Sequence, residues 1–474
     1  FKQKTAYEIR LSLVGSEMCI RDRWGKGWTV GDRLMAGLTL VEKIATRHAV
    51  GLAEGSAVRS GDFITIRPKH VMTHDNTGAV IPKFKEMIRN TRLGETGNPS
   101  IHDPRQPVFA IDHDIQNKTP ENLGKYAKIE QFAREHQIDF YPAGTGISHQ
   151  VMVEQGYVTP GSMVVGSDSH SNLYGALCCL GTPVVRTDAA GIWATGVTWW
   201  QCPPVARVVL TGRLRAGVVG KDVIVALCGL FNKDEVLNHA VEFHGEGIGS
   251  LSIDQRMSIA NMTTEWGALV GLFPFDEVTR DYLYSRADSF AKDGGRLRPG
   301  TRGPDSLGVY TRADIDRWWS ERAALTPDAG AAYAVELELD LATIVPHVSG
   351  PNDVKTMTSL PEIEARHVKI DKAWLMSCVN ARYEDLAAAA MIVKGKKVAA
   401  GVEFYLAAAS AETQARAERD GHWASLLEAG AVPLPPGCGT CIGLGAGTIK
   451  AGEVGISATN RNFEGRMGDR AGLV

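Results

Sequence analysis

Three cysteines constrain this chain more than any other feature. Cys378 stands alone in Met376-Ser377-Cys378-Val379-Asn380-Ala381-Arg382-Tyr383-Glu384-Asp385, and Cys438 and Cys441 sit together in the turn Pro435-Pro436-Gly437-Cys438-Gly439-Thr440-Cys441-Ile442-Gly443. Three thiolates are one short of closing a cubane cluster or a tetrahedral metal site, so a metal held this way keeps a position free for substrate or water. The Cys-x-x-Cys pair alone is ambiguous between half a zinc knuckle, a redox pair and an iron-sulfur ligand set. A zinc site would need a fourth Cys or His at short spacing, and no His lies within thirty residues after Cys441. Tyr383 to Leu386 opens a helix, and its positive end near Cys378 is expected to lower that thiol's pKa.

The other cysteines carry no ligand spacing. Cys178, Cys179 and Cys228 stand in apolar sequence, where a reduced thiol behaves as a small hydrophobe, and Cys19 and Cys202 are isolated. Eight cysteines in 474 residues are too few for a disulfide scaffold, which points to a reducing compartment inside the cell. A net charge of −3 gives no overall attraction for nucleic acid or anionic membrane, so an anionic substrate must be held by local arginines. No apolar run approaches the roughly 18 to 20 residues that span a bilayer, and the chain reads as a soluble globule.

The length predicts about three domains. Residues 1–23 mix basic residues with Glu8, Glu17 and Asp22, lack a signal-peptide core, and read as a leader foreign to the fold. From about Leu38 the pattern is α/β. Met163–Gly166 and Val208–Leu210 read as buried strands, Lys221–Phe231 as a helix packed on them, and Ala387–Ala390 as part of another helix. Ala291–Ser306 is expected to be a loop or insertion and Leu325–Ala331 a second weak point. No internal repeat is visible.

A second constellation is acid-base. Asp112-His113 and Asp168-Ser169-His170 both stand just past apolar strands, where doubly wound folds place ligands, and a neighbouring carboxylate fixes an imidazole's tautomer. His74-Asp75 repeats the pairing, and His149 is read in a similar loop. Any one of these is commonly a satisfied loop residue; four in comparable positions are a pattern. In Asn460-Arg461-Asn462-Phe463-Glu464-Gly465-Arg466 two arginines offer planar forks suited to a di- or tricarboxylate, although a charged surface turn is the plainer alternative.

Taken in order, Asp-His, Ser-Asp-Ser-His, Asn261-Met262-x-x-Glu265, the single Cys, Cys-x-x-Cys and Asn-Arg-Asn-Phe-x-Gly-Arg resemble the aconitase superfamily of hydro-lyases, from about Leu38 to Arg470. The resemblance implies three doubly wound α/β domains around a central cluster, at 30–205, 206–345 and 346–474, with the family's swivelling domain absent from the chain. It implies that Cys378, Cys438 and Cys441 ligate a 4Fe-4S cluster and that Asp112 and His113 deliver a proton to the departing hydroxide. His149, Asp168, His170 and Glu265 then organise bound water. His74, Ser169, Asn261, Asn460, Arg461 and Arg466 fall at substrate-binding or cluster-side positions.

Two departures stand out. The family's Cys-Thr-Asn is Cys378-Val379-Asn380 here, which removes a hydroxyl. The base that removes the carbon-bound proton, a serine of the swivelling domain, and further arginines are expected from a small subunit or from the rest of a longer chain. Segments such as Gly181–Gly196, Ile259–Leu269 and Val348–Lys355 most resemble the fungal branch that hydrates homoaconitate in lysine synthesis, a mitochondrial setting, whereas other branches would be cytoplasmic. Isopropylmalate dehydratase and aconitate hydratase are the alternative activities. An RNA-binding regulator and a silent scaffold are the alternatives of another class.

Overall fold

The computed structural model describes residues 20–24, 36–90, 100–292 and 310–474. Its frame is three parallel sheets. The first contains β1 (His70–Thr73), β2 (Pro107–Ala110), β3 (Asp139–Tyr141), β4 (Met163–Gly166) and β5 (Leu180–Pro183) in the spatial order β3-β2-β1-β4-β5. The second contains β6 (Val205–Thr211), β7 (Ala240–His244), β8 (Val270–Leu272) and β9 (Val335–Asp340) in the order β8-β7-β6-β9. The third contains β10 (Lys372–Leu375), β11 (Glu403–Leu406), β12 (Ala431–Pro433) and β13 (Gly455–Ser457) in the order β12-β11-β10-β13.

Each sheet thus repeats one arrangement, third-second-first-fourth, which the sequence does not reveal as a repeat. Parallel neighbours require crossover connections. Among the helices that supply them are α1 (Ser148–Glu154), α2 (Gly220–Leu230), α3 (Ile253–Trp266) and α4 (Tyr383–Val393). Strands β1, β2 and β4 are buried at every position, the reason β2 and β4 are unbroken apolar runs instead of alternating ones. The expected strands at 163–166 and 208–210 and the helix at 387–390 fall within these elements, and the helix expected at 221–231 is found at Gly220–Leu230.

A single apolar cluster runs from Leu40 to Ile344 and takes in Cys378 and Val379, so the first two sheets share one core. The third sheet has its own, built on Leu386, Leu406, Trp423 and Leu426 on one face and Trp374, Met376 and Ile449 on the other. Polar contacts fasten it to the first sheet. The Ile147 amide donates to the Ala409 carbonyl at 2.8 Å, and Ser410 Oγ donates to Glu154 Oε1 at 2.7 Å. The 3₁₀ turn Ser171–Leu177 presses on β8 so closely that only glycine fits at 175, where a Cβ would lie 1.6 Å from the Gly271 carbonyl oxygen.

Several expectations change. Leu325–Ala331 is a largely exposed loop after Leu325, pinned where Leu325 is buried and where Asp328 accepts from the Leu38 amide and pairs with Lys43. Of the expected loop 291–306, Ala291 and Lys292 finish a helix and the remainder lies outside the described residues. Of the expected leader, 1–19 lie outside the described residues, while Ile20–Trp24 pair antiparallel with β9. Cys178, Cys179, Cys202 and Cys228 are free and buried, and burial pushes the Cys178 thiol up to about 12. Among the described residues no helix is long and apolar enough to cross a membrane.

Candidate active site

In a doubly wound sheet the loops leaving the first and fourth strands diverge and open a crevice at the carboxyl end. In the first sheet that crevice receives His74 and Asp75 after β1 and Asp168 to His170 after β4, flanked by Asp112-His113 after β2. In the third it receives Cys378 after β10 and Asn460-Arg461 after β13, flanked by Cys438 and Cys441 after β12. The two crevices share a cavity of about 190 Å³ lined by Asp112, His113, His149, Asp168, His170, Cys378, Cys438, Cys441, Ile442, Asn460, Arg461 and Arg466. A larger open groove of about 1050 Å³ beside Lys85, Lys125 and Lys128 contains none of the thiols or imidazoles and is not the site.

The acid-base side is built on carboxylates. Asp75 accepts from the backbone amides of Asp112, His113 and Asp114 at 2.8 to 3.0 Å and from the Tyr126 hydroxyl. Burial would raise its carboxyl, yet these donors hold it at about 2. Asp75 is therefore the fixed point on which the next loop is folded. His113 Nδ1 lies 2.5 Å from Asp112 Oδ1 and its Nε2 3.7 Å from Asp168 Oδ2. Burial disfavours the imidazolium, but the Asp112 carboxylate outweighs it and raises His113 to about 9. His74 stacks on His113 with ring centres 3.9 Å apart, and burial together with that neighbouring charge lowers its pKa. The pair thus holds one proton donor beside one neutral ring.

Asp168 is the hub of the opposite wall. It accepts from His149 Nε2 at 2.8 Å and from the His170 amide at 2.9 Å, and despite burial its carboxyl stays well below the usual range because both imidazoles bond it. His170 Nε2 meets Glu265 Oε1 at 2.8 Å, and Arg461 Nε donates to the same oxygen at 2.7 Å. Arg461 Nη2 also donates to Ser169 Oγ at 3.0 Å. Arg466 Nε is buried with no protein partner, a donor left for an anion entering the cavity.

The thiols close the third wall. Asn261 Nδ2, from α3, lies 3.0 Å from Cys378 Sγ, and Asn460 Nδ2 donates to Asn261 Oδ1 at 3.1 Å. The Cys438 amide donates to the Asp112 carbonyl at 2.7 Å, tying the Cys-x-x-Cys turn to the proton donor's loop. Among the described residues, the acidic and imidazole groups around His113 and around Asp168 each have ligand atoms all within 4.8 Å of one another; the three thiols form no such set. A structural tetrahedral zinc takes four sulfur or imidazole ligands, one more than the three thiols supply.

Every site residue named from the sequence lies in this cavity, bonds to a residue that does or, in the case of His74, stacks on one. Two readings need correction. His149 is not in a loop but in the first turn of α1. Cys378 is not a depressed thiol: burial, then the neighbouring Cys441, push it up, a penalty the helix end does not offset and that a bound metal would remove. Where the family's threonine is replaced, Val379 packs into the main core. The sequence reading missed Tyr126, Tyr174, which lies 3.0 Å from His149 Nδ1, and buried Lys221, which donates to the Thr459 carbonyl at 2.6 Å behind Asn460. None of these has a motif; each is recognisable only from its partner.

Parallel sheets whose carboxyl ends gather three thiols, a carboxylate-held imidazolium and arginines define an aconitase-type centre, and this chain belongs to the aconitase family: the family model described as aconitate hydratase matches residues 42–473. Among individual proteins it is similar to the mitochondrial homoaconitase of Mycosarcoma maydis, 58% identical over 430 residues, which are 90% of this chain and 57% of that protein. The mitochondrial homoaconitases of Yarrowia lipolytica and Cryptococcus neoformans are 55% and 56% identical, over 60% and 58% of their length. The chain therefore spans somewhat under two thirds of these curated relatives.

Proposed function

We propose that the chain carries the metal-binding part of a hydro-lyase that moves water across a double bond of a 2-hydroxy polycarboxylate, with homoaconitate as the substrate, in the lysine-synthetic setting and the mitochondrial compartment that the relatives' names suggest. The observation that carries the reading is the meeting, in one cavity, of three thiols, the Asp112-His113 pair and Arg466, whose Nε has no partner. Three thiols are one short of closing a tetrahedral site, and the family implies an iron-sulfur cluster. We assign it as 4Fe-4S, held through Cys378, Cys438 and Cys441. When bound it supplies a Lewis acid for the substrate hydroxyl.

The protein's own residues do the rest. His113, kept protonated by Asp112, presents the Nε2 proton to a departing hydroxide. Asp168, His149 and His170 hold a water in place, and Asn261 and Asn460 direct amide protons at the sulfur wall. Glu265 orients Arg461 by its Nε, leaving Arg466 as the carboxylate clamp. Three α/β units, 30–205, 206–345 and 346–474, form the frame. The carbon-bound proton is removed by a base from a partner, a small subunit or swivelling domain that also brings further arginines.

The test is to mix the cluster-loaded chain with the carboxy-terminal part of a homoaconitase relative and assay homoaconitate, isopropylmalate and citrate. Fastest turnover on homoaconitate is expected, with the chain alone slower by about 10²- to 10⁴-fold. No turnover of any of the three by a loaded complex would end the proposal.

A further inference from the structure

The loop that delivers Cys378 is strained. Ser377, immediately before it, has φ of +97°, a region that side chains avoid and glycine usually occupies. Such a conformation persists only where its surroundings over-determine it. Ser377 Oγ accepts from the Val379 amide at 3.1 Å within the turn, and the side chain that makes most of the contacts from outside it is Arg382. Arg382 is 1% exposed on its side chain, and its guanidinium reaches across to α3 of the second sheet. Its Nη1 donates to the Cys378 carbonyl, and its Nη2 donates to the Val379 carbonyl at 2.6 Å, to Ser258 Oγ at 2.5 Å and to the Asp254 carbonyl at 2.8 Å. Ser258 Oγ in turn lies 2.8 Å from the Val379 carbonyl oxygen. One helical face of α3, at Asp254, Ser258 and Asn261, thus holds the loop's backbone at two points and its sulfur at a third.

We propose that Arg382 is a positioning residue for the metal centre: by clamping the Cys378 and Val379 carbonyls to α3 it maintains the strained turn that aims Cys378 Sγ at the cluster and at Asn261. The proposal rests on the iron-sulfur reading above. Partners just outside the ligands commonly govern metal retention as strongly as geometry at the ligand itself. Planarity matters, because four acceptors spread over two elements match a guanidinium fork and not a single ammonium.

The experiment compares wild type, R382Q, R382K, S258A and L426A, the last a change in the third sheet's own core that touches nothing in the loop. Each is reconstituted anaerobically with ferrous iron and sulfide, then followed by visible absorbance during exposure to a chelator, with the melting temperature of the apo-protein measured alongside. R382Q is expected to lose its cluster about 10- to 100-fold faster than wild type, R382K to recover part of that loss, and S258A to fall between R382K and wild type. L426A is expected to melt earlier yet keep a near-normal cluster lifetime. Should R382Q fail to fold, S258A and R382K carry the same comparison. Wild-type retention in R382Q, or a loss no faster than in L426A at matched melting temperature, would overturn the role of Arg382 alone. A wild type that takes up no cluster would overturn the iron-sulfur reading and this proposal with it.

Discussion

At the scale of single residues, Asp75 shows how a side chain outside the cavity lining organises those that line it. Its carboxylate gathers the amides of Asp112, His113 and Asp114, so the loop bearing the proton donor is folded around it. Its folded pKa of about 2 lies below the ordinary carboxylate value near 3.9, so it adds stability that is complete above pH ~4 and is lost as the pH falls through ~2. The size is roughly 2 kcal/mol. Asp75→Asn should lower urea-denaturation stability by about that amount at neutral pH, with the gap to wild type closing between pH ~4 and ~2. Equal stability at pH 7 would contradict the assignment. The site's membership was legible in the sequence because the motif order fixes it. The bonding was not: Glu265 and Arg461 stand far apart in the chain and meet only because α3 and the loop after β13 converge. Arg382 was visible beside Cys378, but its partners Asp254 and Ser258 belong to another sheet's crossover helix.

At the scale of elements, legibility tracked burial. Met163–Gly166 announces itself because a strand covered on both faces is continuously apolar, and Val205–Thr211 because most of its apolar positions are buried while Arg207 turns to the less covered face. Helix α1 did not, since it is only seven residues long and has no side-chain N-cap. The threefold repeat of strand order was also hidden, because topology is set by crossovers and not by matching residues. The turn Ser171–Leu177 packs on β8, next to which the Phe273 amide donates to the Gly175 carbonyl at 2.9 Å. Gly175→Ala would drive a methyl group into the Gly271 carbonyl. It should destabilise the protein by about 3 kcal/mol, read as a lowered melting temperature. A melting temperature equal to wild type would show that the turn and strand do not meet as described.

At the scale of the whole molecule, two sheets sharing one core present imidazoles and carboxylates to a third sheet with its own core, which presents sulfur. The two faces meet across the cavity as one wall of imidazoles and carboxylates and one wall of sulfur. Net charge and length alone point to neither wall; the 1 + 2 cysteine spacing does. The most direct measurement is therefore the iron and acid-labile sulfide content of the anaerobically reconstituted chain and of its Cys378→Ser, Cys438→Ser and Cys441→Ser variants. The account predicts a brown protein with about four irons and four sulfides per chain, and a marked loss of both in each variant. A colourless protein holding zinc, or a cluster indifferent to replacement of Cys378, would contradict it.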